Sequence, residues 1–545
     1  MTYTLYKYIF RELLRVFLLA LIALTLILSM GSILQPIQEF GAGPKQIFVI
    51  MFYFLPITLT FVLPIAALFA GSLVYGRFTS DNELDACRAS GISIINLVIP
   101  GLFLAIVVAI SNLFLSFYVM PTFVHLAEKS IKTDIKQMLF RSIEQNGYYK
   151  VPPENKYLIY ADYVDNKNDM LRGVVITKLE GVKISDIFTT ESAKIKIIPH
   201  KTTNEVQITI HNGYQMSNKE TISLSALPFT TEFGSLLADN ITFKKIDEMR
   251  EIKADLMRFE PVAKNAYKTL KQFTAELFVY DIHNKISEIN NNDLINENSP
   301  AQEYVYELAG EPNSVKFSLV PCTVQKEQIS LTSDITLIEF NNKNPNDAHT
   351  YKCKEAFFRF EGSRNDFTLA MDIRGARDIN SGEIKMWDSI TGLKIPKDTE
   401  KLIKQFYTDK GSINVHKLAS GLNNLVGFEP SRELKILQSI LNEDIQKTNM
   451  EIKAEIHSRL VFGIGCISMI LIGIGLGILK RGGHLLSAFG TSCIPAVILV
   501  VCIMSGKQLT ENIGAQSLSG ITVMWAGCGS LFLFAIGLYY YLLKN

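Results

Sequence analysis

Six runs of about 20 or more apolar residues limit what this chain can fold into, because a run of that length crosses the hydrocarbon core of a bilayer as one helix. They lie near 13–34, 47–75, 94–120, 460–479, 485–505 and 519–543. Three spans, a long polar block and three more spans predict a polytopic α-helical membrane protein. Its six transmembrane (TM) helices fall in a 3+3 order, with a large extracytoplasmic domain between the third and fourth. Lys7, Arg11 and Arg15 precede the first run as basic residues precede a signal peptide. That run is too long for a signal h-region, lacks an A-x-A-like cleavage site and is soon followed by a second span, so it reads as an uncleaved span.

Orientation follows from the short loops. Lys7, Arg11 and Arg15 before span 1, Lys480, Arg481 and His484 between spans 4 and 5, and Lys544 after span 6 mark the cytoplasmic side. Both termini are then expected in the cytoplasm, and the polar block is periplasmic in the inner membrane of a Gram-negative cell. A formal net charge of +1 over 545 residues offers no basic face to a nucleic acid. Of seven cysteines, Cys87, Cys466, Cys493, Cys502 and Cys528 fall in spans or the cytoplasmic loop, where they read as free thiols or small apolar fillers. Cys322 and Cys353 fall in the exported block, where a disulfide can persist. The sequence leaves both states of that pair open.

The exported block is rich in strand patterns. "KYLIYADYV" (156–164), "GVVITKL" (173–179), "AKIKIIPH" (193–200) and "EVQITIHNGY" (205–214) collect β-branched and aromatic residues between turn formers, as in an antiparallel sandwich or open barrel. A helical stretch follows from about 245 to 288, interrupted near Pro261, and "INNNDLINENSP" (289–300) reads as a linker. A second β-rich patch spans about 303–390, with an Asn-rich turn at 341–347. Leu434, Leu437, Leu441, Ile445, Ile452 and Ile456 then stand at helical spacing and run directly into span 4.

Catalytic constellations are missing from this reading. The nearest approach to a P-loop is Gly506-Lys507, but Val501 and Gln508 stand where glycine and Ser/Thr belong. There is no H-E-x-x-H and no G-x-S-x-G. The eight histidines are scattered, so His200 and His211 are expected on the surface and no metal set forms. The chain is expected to bind no cofactor and to be no enzyme.

The polar loop "RFTSDNELDACRASGIS" (77–93) is richer than a plain connector needs. Ser80 and Glu83 have capping-box spacing, which predicts a helix from Asp81 to Ser90 with Gly91 left-handed at its end. The acids then lie in the first turns and Arg88 near the last, as the helix dipole favours. Two readings stay open: a capped connector, or a helix that docks on a cytoplasmic motor through Glu83 and Arg88. Within the spans, Gly473, Gly475 and Gly477 make a small-residue face that permits close helix packing. Asn112 reads as an interhelical hydrogen-bonding residue, and Pro56 and Pro64 are expected to bend span 2.

The loop, with the glycine before it, resembles a motif of the LptF/LptG family, the lipopolysaccharide-export permeases of ABC type. Gly76, Arg77, Asp81, Asn82, Glu83, Leu84, Arg88, Ala89, Gly91 and Ser93 follow its pattern in order. The opening "YIFRELLRVFLLALIALTLIL" and the junction "EIHSRLVFGIGCISMILIGIGLGILKRGG" are similar to the same family. The resemblance implies a β-jellyroll-like domain between spans 3 and 4. It also implies an LptB-type ATPase dimer that holds the ATP and Mg, a second LptF/LptG-type permease, and an LptC-type bitopic protein with a periplasmic bridge. It assigns Arg77, Asp81, Glu83, Leu84 and Arg88 to the ATPase contact, and lipopolysaccharide as the cargo.

On this basis the chain divides into TM helices 1–3 with the coupling helix (1–121), a jellyroll-like region (122–245), an inserted helical and β-rich region (246–410), a return into TM4 (411–457) and TM helices 4–6 (458–545). Some family members carry lysines at the outer end of span 1, where this chain offers only Lys45. Lys129, Lys132 and Lys136, at i, i+3 and i+7, share a helical face that either attracts a phosphorylated headgroup or is simply solvated. Spans 1 and 5 are the family's lateral gate, which makes Phe17, Leu24, Ile498 and Val501 candidate lipid-lining positions. The alternatives are an ABC permease for lipoproteins or another lipid, and a membrane-anchored receptor or scaffold that transports nothing.

Overall fold

The computed structural model describes residues 2–40, 44–150, 157–293, 305–421, 428–479, 485–512 and 517–544, apart from 167, 181–182, 200–203, 218–219, 234–239, 321, 326–327, 343, 364–365, 380–381, 383 and 410. The basic turn Lys480, Arg481 and His484 lies outside these residues, as does His200. Helices α1 (Thr2–Phe40), α2 (Pro44–Ser80), α3 (Glu83–Ala89), α4 (Ile94–Phe114) and α5 (Met120–Asn146) come first. After the first strands follow α6 (Ile246–Ala254) and α7 (Glu260–Asp293); after the second set come α8 (Lys397–Lys404), α9 (Val415–Ser420), α10 (Arg432–Leu479), α11 (Leu485–Glu511) and α12 (Ser517–Lys544). Among the described residues six helices are long and apolar enough to cross a membrane: Tyr3–Ser29, Met51–Ser80, Ile94–Ser130, Arg432–Leu479, Cys493–Glu511 and Ser519–Lys544. They coincide with the six apolar runs.

The chain forms two compact units, Met1–Arg250 with Asn449–Asn545, and Glu251–Thr448. In the first, the helices pack through glycine. A Cβ at Gly477 would lie 2.8 Å from the Ser72 carbonyl oxygen, and one at Gly473 would collide with that of Leu68. Small residues on α10 thus let it meet the backbone of α2, the arrangement that drives helix association where lipid offers no hydrophobic contrast. Gly475 faces Leu538 of α12 instead.

Proline shapes the same helices. Pro64 has no N–H for the carbonyl of Thr60, and α2 still runs unbroken through both Pro56 and Pro64. The freed Thr60 carbonyl accepts a 2.8 Å hydrogen bond from Nδ2 of fully buried Asn112 on α4, so the interhelical role expected of Asn112 is borne out. We expect Asn112→Leu to cost about 1–2 kcal/mol, and appreciably less in a Pro64→Ala background, where the helix supplies its own donor; thermal unfolding of both pairs in detergent checks this. Between α4 and α5 a π-turn, Leu115–Val119, precedes Pro121, a common response to a missing backbone donor.

Helix α5 ends at Gly147, left-handed at φ 79°, and the chain enters a six-stranded sheet. Its strands are β1 (Tyr148–Lys150), β2 (Tyr157–Asp165), β3 (Met170–Glu180), β4 (Lys183–Pro199), β5 (Asn204–Ser217) and β6 (Glu220–Phe233). All neighbours are antiparallel and the order is strictly sequential. The expectation of a strand-rich domain after span 3 holds, while the described pairings form a meander without Greek-key crossovers. Alternate residues build its core: Ile159 and Ala161, Val174 and Ile176, Ala193 and Ile195, covered by Leu139, Phe140 and Ile143 from the end of α5. Strand β6 is absent from the segments expected from sequence. Pro228 argues against a central strand, and β6 is an edge, where proline is tolerated.

The second unit has its own core. Strands β7 (Val305–Leu308), β8 (Asn313–Ser318), β9 (Cys322–Gln325), β10 (Gln328–Asn341), β11 (Asn344–Ser363), β12 (Asp366–Asp378) and β13 (Ile384–Leu393) form an antiparallel sheet ordered β13-β12-β11-β10-β8-β7, with β9 beside β10. Ala275, Phe278 and Ile282 of α7 pack into it against Tyr306, Phe317 and Phe358. Phe317 and Phe358 are fully buried, each adding about 1.5–3 kcal/mol of hydrophobic stabilisation. The helix break comes just before Pro261, which takes an early position in α7. Leu434, Leu437, Leu441, Ile445 and Ile452 are buried along α10, one helix that continues into span 4 as expected.

Cys322 and Cys353 are free thiols. They face β10 opposite Leu331 and Ile335, so the disulfide that the sequence left open is not formed. Burial pushes the Cys322 thiol up to about 12 and that of Cys353 up to about 11. Since the thiolate is the reactive form, alkylation at pH 8 is expected to be slow for both in the folded protein and fast after denaturation. Mass-spectrometric labelling reads the difference.

Candidate functional site

The loop between α2 and α4 carries the candidate site. Phe78 is buried and the Thr79 hydroxyl donates to the Tyr75 carbonyl at 2.8 Å, so α2 continues through Ser80. Ser80 therefore does not cap the next helix. The expected capping box and the start at Asp81 are corrected: α3 begins at Glu83, its N-cap is Asn82, and no side chain caps it. Asn82 reverses the chain at φ 57°, a left-handed conformation that asparagine tolerates better than most residues.

The other end of α3 follows the expectation. Gly91 is left-handed at φ 82°, its N–H bonds the Arg88 carbonyl at 2.9 Å, and the Ile92 N–H bonds that of Cys87 at 3.1 Å. These two bonds make a Schellman motif. No atom lies within 4 Å of a Cβ at Gly91, so its backbone angle, rather than space, calls for glycine. Ser93 next caps α4, accepting from the Asn96 N–H at 3.4 Å.

This geometry fixes the side chains. Leu84 points inward and is 6% exposed, in the cluster that includes Phe78, Ile94 and Leu97, with Cys87 packed beside it. Arg77 and Asp81 pair at 3.6 Å, both half exposed. Arg88 stands exposed on the last turn. Glu83, released from capping, accepts a 3.4 Å hydrogen bond from the Tyr8 hydroxyl of α1, and the Tyr8 ring stacks on Phe78 with centroids 5.6 Å apart. Tyr8 is the residue that sequence reasoning missed. It sits 75 positions away, and nothing local signals the contact. The result is a short helix with one apolar anchor, clamped at its start to α1, presenting carboxylates and a guanidinium outward.

The proposed lipid positions separate. Phe17 is buried in the helix core, and Leu24 packs against it. Ile498 and Val501 are 43% and 54% exposed on the outside of α11. Lys129 is exposed on α5 and has an interaction partner. The side chains of Lys45, Lys132 and Lys136 lie outside the described residues, as does that of His211. The structure therefore brings Arg77, Asp81, Glu83, Leu84 and Arg88 together from the last turn of α2 through α3 and, among the described residues, does not join the lipid candidates into one site.

A family model described as the lipopolysaccharide export system permease LptF/LptG matches residues 7–293 and 330–543. The match takes in both groups of apolar helices, the first sheet and most of the block between 250 and 410, leaving 294–329 outside it. No curated protein matches the chain.

Proposed function

This chain belongs to the LptF/LptG family of lipopolysaccharide export permeases, and from that membership we propose that it is one permease half of an ATP-driven exporter. It takes lipopolysaccharide, or a related glycolipid, from the inner membrane and delivers it to the strand-rich domain. The family is one of transporter permeases rather than enzymes, so ATP and Mg belong to a partner. That partner is an LptB-type ATPase dimer, and α3 is its docking element. A second permease of the same family, an LptC-type bitopic protein and a periplasmic bridge complete the path. The termini are cytoplasmic and the sheets periplasmic, a reading supported by Lys7, Arg11, Arg15 and Lys544.

The observation that carries this reading is the form of the 76–93 motif. Two of its polar residues are not needed to close the helix: Glu83 caps nothing, Arg88 is exposed, and α3 is anchored by Leu84 and ended by Gly91. Solubilisation in mild detergent, followed by identification of co-purified protein and lipid by mass spectrometry, tests it. The expected result is a nucleotide-binding protein and a phosphorylated glycolipid. Recovery of neither overturns the transport reading, and a lipoprotein in place of the glycolipid overturns the cargo.

A further inference from the structure

Beyond the motor contact, the first unit gathers two buried charges and a partly buried third where the apolar part of α10 begins and that of α11 ends. Glu455 and Arg459 side chains are 6% and 3% exposed, and Lys507 is 22% exposed. Burying such groups is costly unless their hydrogen-bonding capacity is met inside the protein. Here it is met. Glu455 accepts from Arg459 Nε at 2.8 Å and from Lys507 Nζ at 2.6 Å. Arg459 Nη2 donates to the Thr242 carbonyl at 2.8 Å and Nη1 to that of Lys244 at 3.2 Å, while its guanidinium lies 5.4 Å from the Phe117 ring centroid. Lys507 also donates to the Thr242 hydroxyl at 3.0 Å and lies 3.9 Å from Glu511.

What the cations hold is the chain leaving the first sheet. Residues Ile241–Phe243 form a 3₁₀ turn, capped by Asn240, whose side chain accepts from the Thr242 N–H at 2.8 Å. Ile241 is buried. Next along the chain, Glu248 accepts from the Lys245 N–H at 3.1 Å and meets His125 of α5 at 3.4 Å. A small cleft of about 90 Å³ is lined by Glu455, Arg459 and Lys507 themselves, together with Phe61, Phe462 and Met504. Each charged nitrogen already has a protein acceptor, so the arrangement fits a joint better than a pocket for an anion. On the way into the sheet α5 leads as a continuous helix, and after β6, beyond residues 234–239, the 241–245 segment is gripped.

We propose that Glu455, Arg459 and Lys507 form a clasp that positions the outgoing end of the first sheet on spans 4 and 5, and that lipid passes from the spans to the sheet only while this clasp is closed. The proposal rests on the export reading given above. The test uses the full transporter with its partner chains in proteoliposomes, with a photo-crosslinker at Tyr214, an exposed aromatic on β5 of the sheet, to capture lipid and ATP hydrolysis measured in parallel. Lys507→Met is expected to leave ATP hydrolysis running while lipid adducts at the sheet fall about 10-fold or more, the size of effect that misplacement produces. Lys507→Arg is expected to restore most of the loss.

Thr242→Val, which removes one acceptor and leaves the ion pairs, is expected to give a smaller fall in the same direction. In the pair Thr242→Cys with Lys507→Cys, a short bis-thiosulfonate cross-link is expected to bring adducts back, and reduction to abolish them again. Wild-type adduct levels in both Lys507→Met and Thr242→Val overturn the clasp, as does a cross-link that restores nothing. A wild-type transporter that gives no lipid adduct at all overturns the export reading itself, so the two failures are distinguishable.

Discussion

Glu83→Lys is expected to weaken the association with the partner ATPase by about 30-fold or more in Kd, the consequence of losing roughly 2–5 kcal/mol at a charged interface contact. The fold of the loop should survive, because Leu84 anchors α3, Gly91 closes it and Glu83 caps nothing. The measurement is recovery of the ATPase in mild detergent, with helicity by circular dichroism as the control. Glu83→Gln keeps the side chain's shape and removes its charge. It should fall between wild type and Glu83→Lys, now as a clean probe of charge. Tyr8→Phe separates the remaining possibility: if the 3.4 Å contact from the Tyr8 hydroxyl orients Glu83, its loss should weaken the association a few-fold, of the order of 1 kcal/mol. ATPase recovery equal to wild type in Glu83→Lys would remove α3 from the motor interface.

The second large effect is expected at Gly473. A methyl group there collides with the Leu68 carbonyl oxygen of α2, and a backbone atom cannot swing aside as a side-chain tip can. Gly473→Leu should therefore force the helices apart and cost more than about 3 kcal/mol, at the upper end for overpacking. Little folded protein is expected on size-exclusion chromatography in detergent. Gly475→Ala meets only the side chain of Leu538, and Gly537→Ala meets nothing within 4 Å. These should cost progressively less. Equal stability of Gly473→Leu and Gly537→Ala would contradict the packing described.

The loop shows how far local sequence reaches. Its end was legible because a Schellman motif is local: Cys87, Arg88, Gly91 and Ile92 complete it among themselves. Its start was not. The spacing of Ser80 and Glu83 is equally compatible with the last turn of a preceding helix, and whether α2 stops earlier depends on where Phe78 is buried. The bundle buries it, the helix runs on, and Asn82 makes the turn. The lipid-lining candidates were less legible still, since apolar residues on a span face protein or lipid alike, and only packing separates buried Phe17 from exposed Val501.

Sequence alone determined the number of spans, the continuity of α10 into the fourth and the glycine face along it. Each is a one-dimensional property, set by the thickness of a bilayer, the helical repeat and the absence of a side chain. Tertiary structure decided the pairings. Asn112 answers the carbonyl that Pro64 leaves open 52 residues away, and Arg459 reaches the Thr242 carbonyl across 217. Such partners are backbone atoms that every residue possesses, so no pattern of side chains announces them. They become specific only when folding brings an unsatisfied carbonyl and a buried donor within hydrogen-bonding distance.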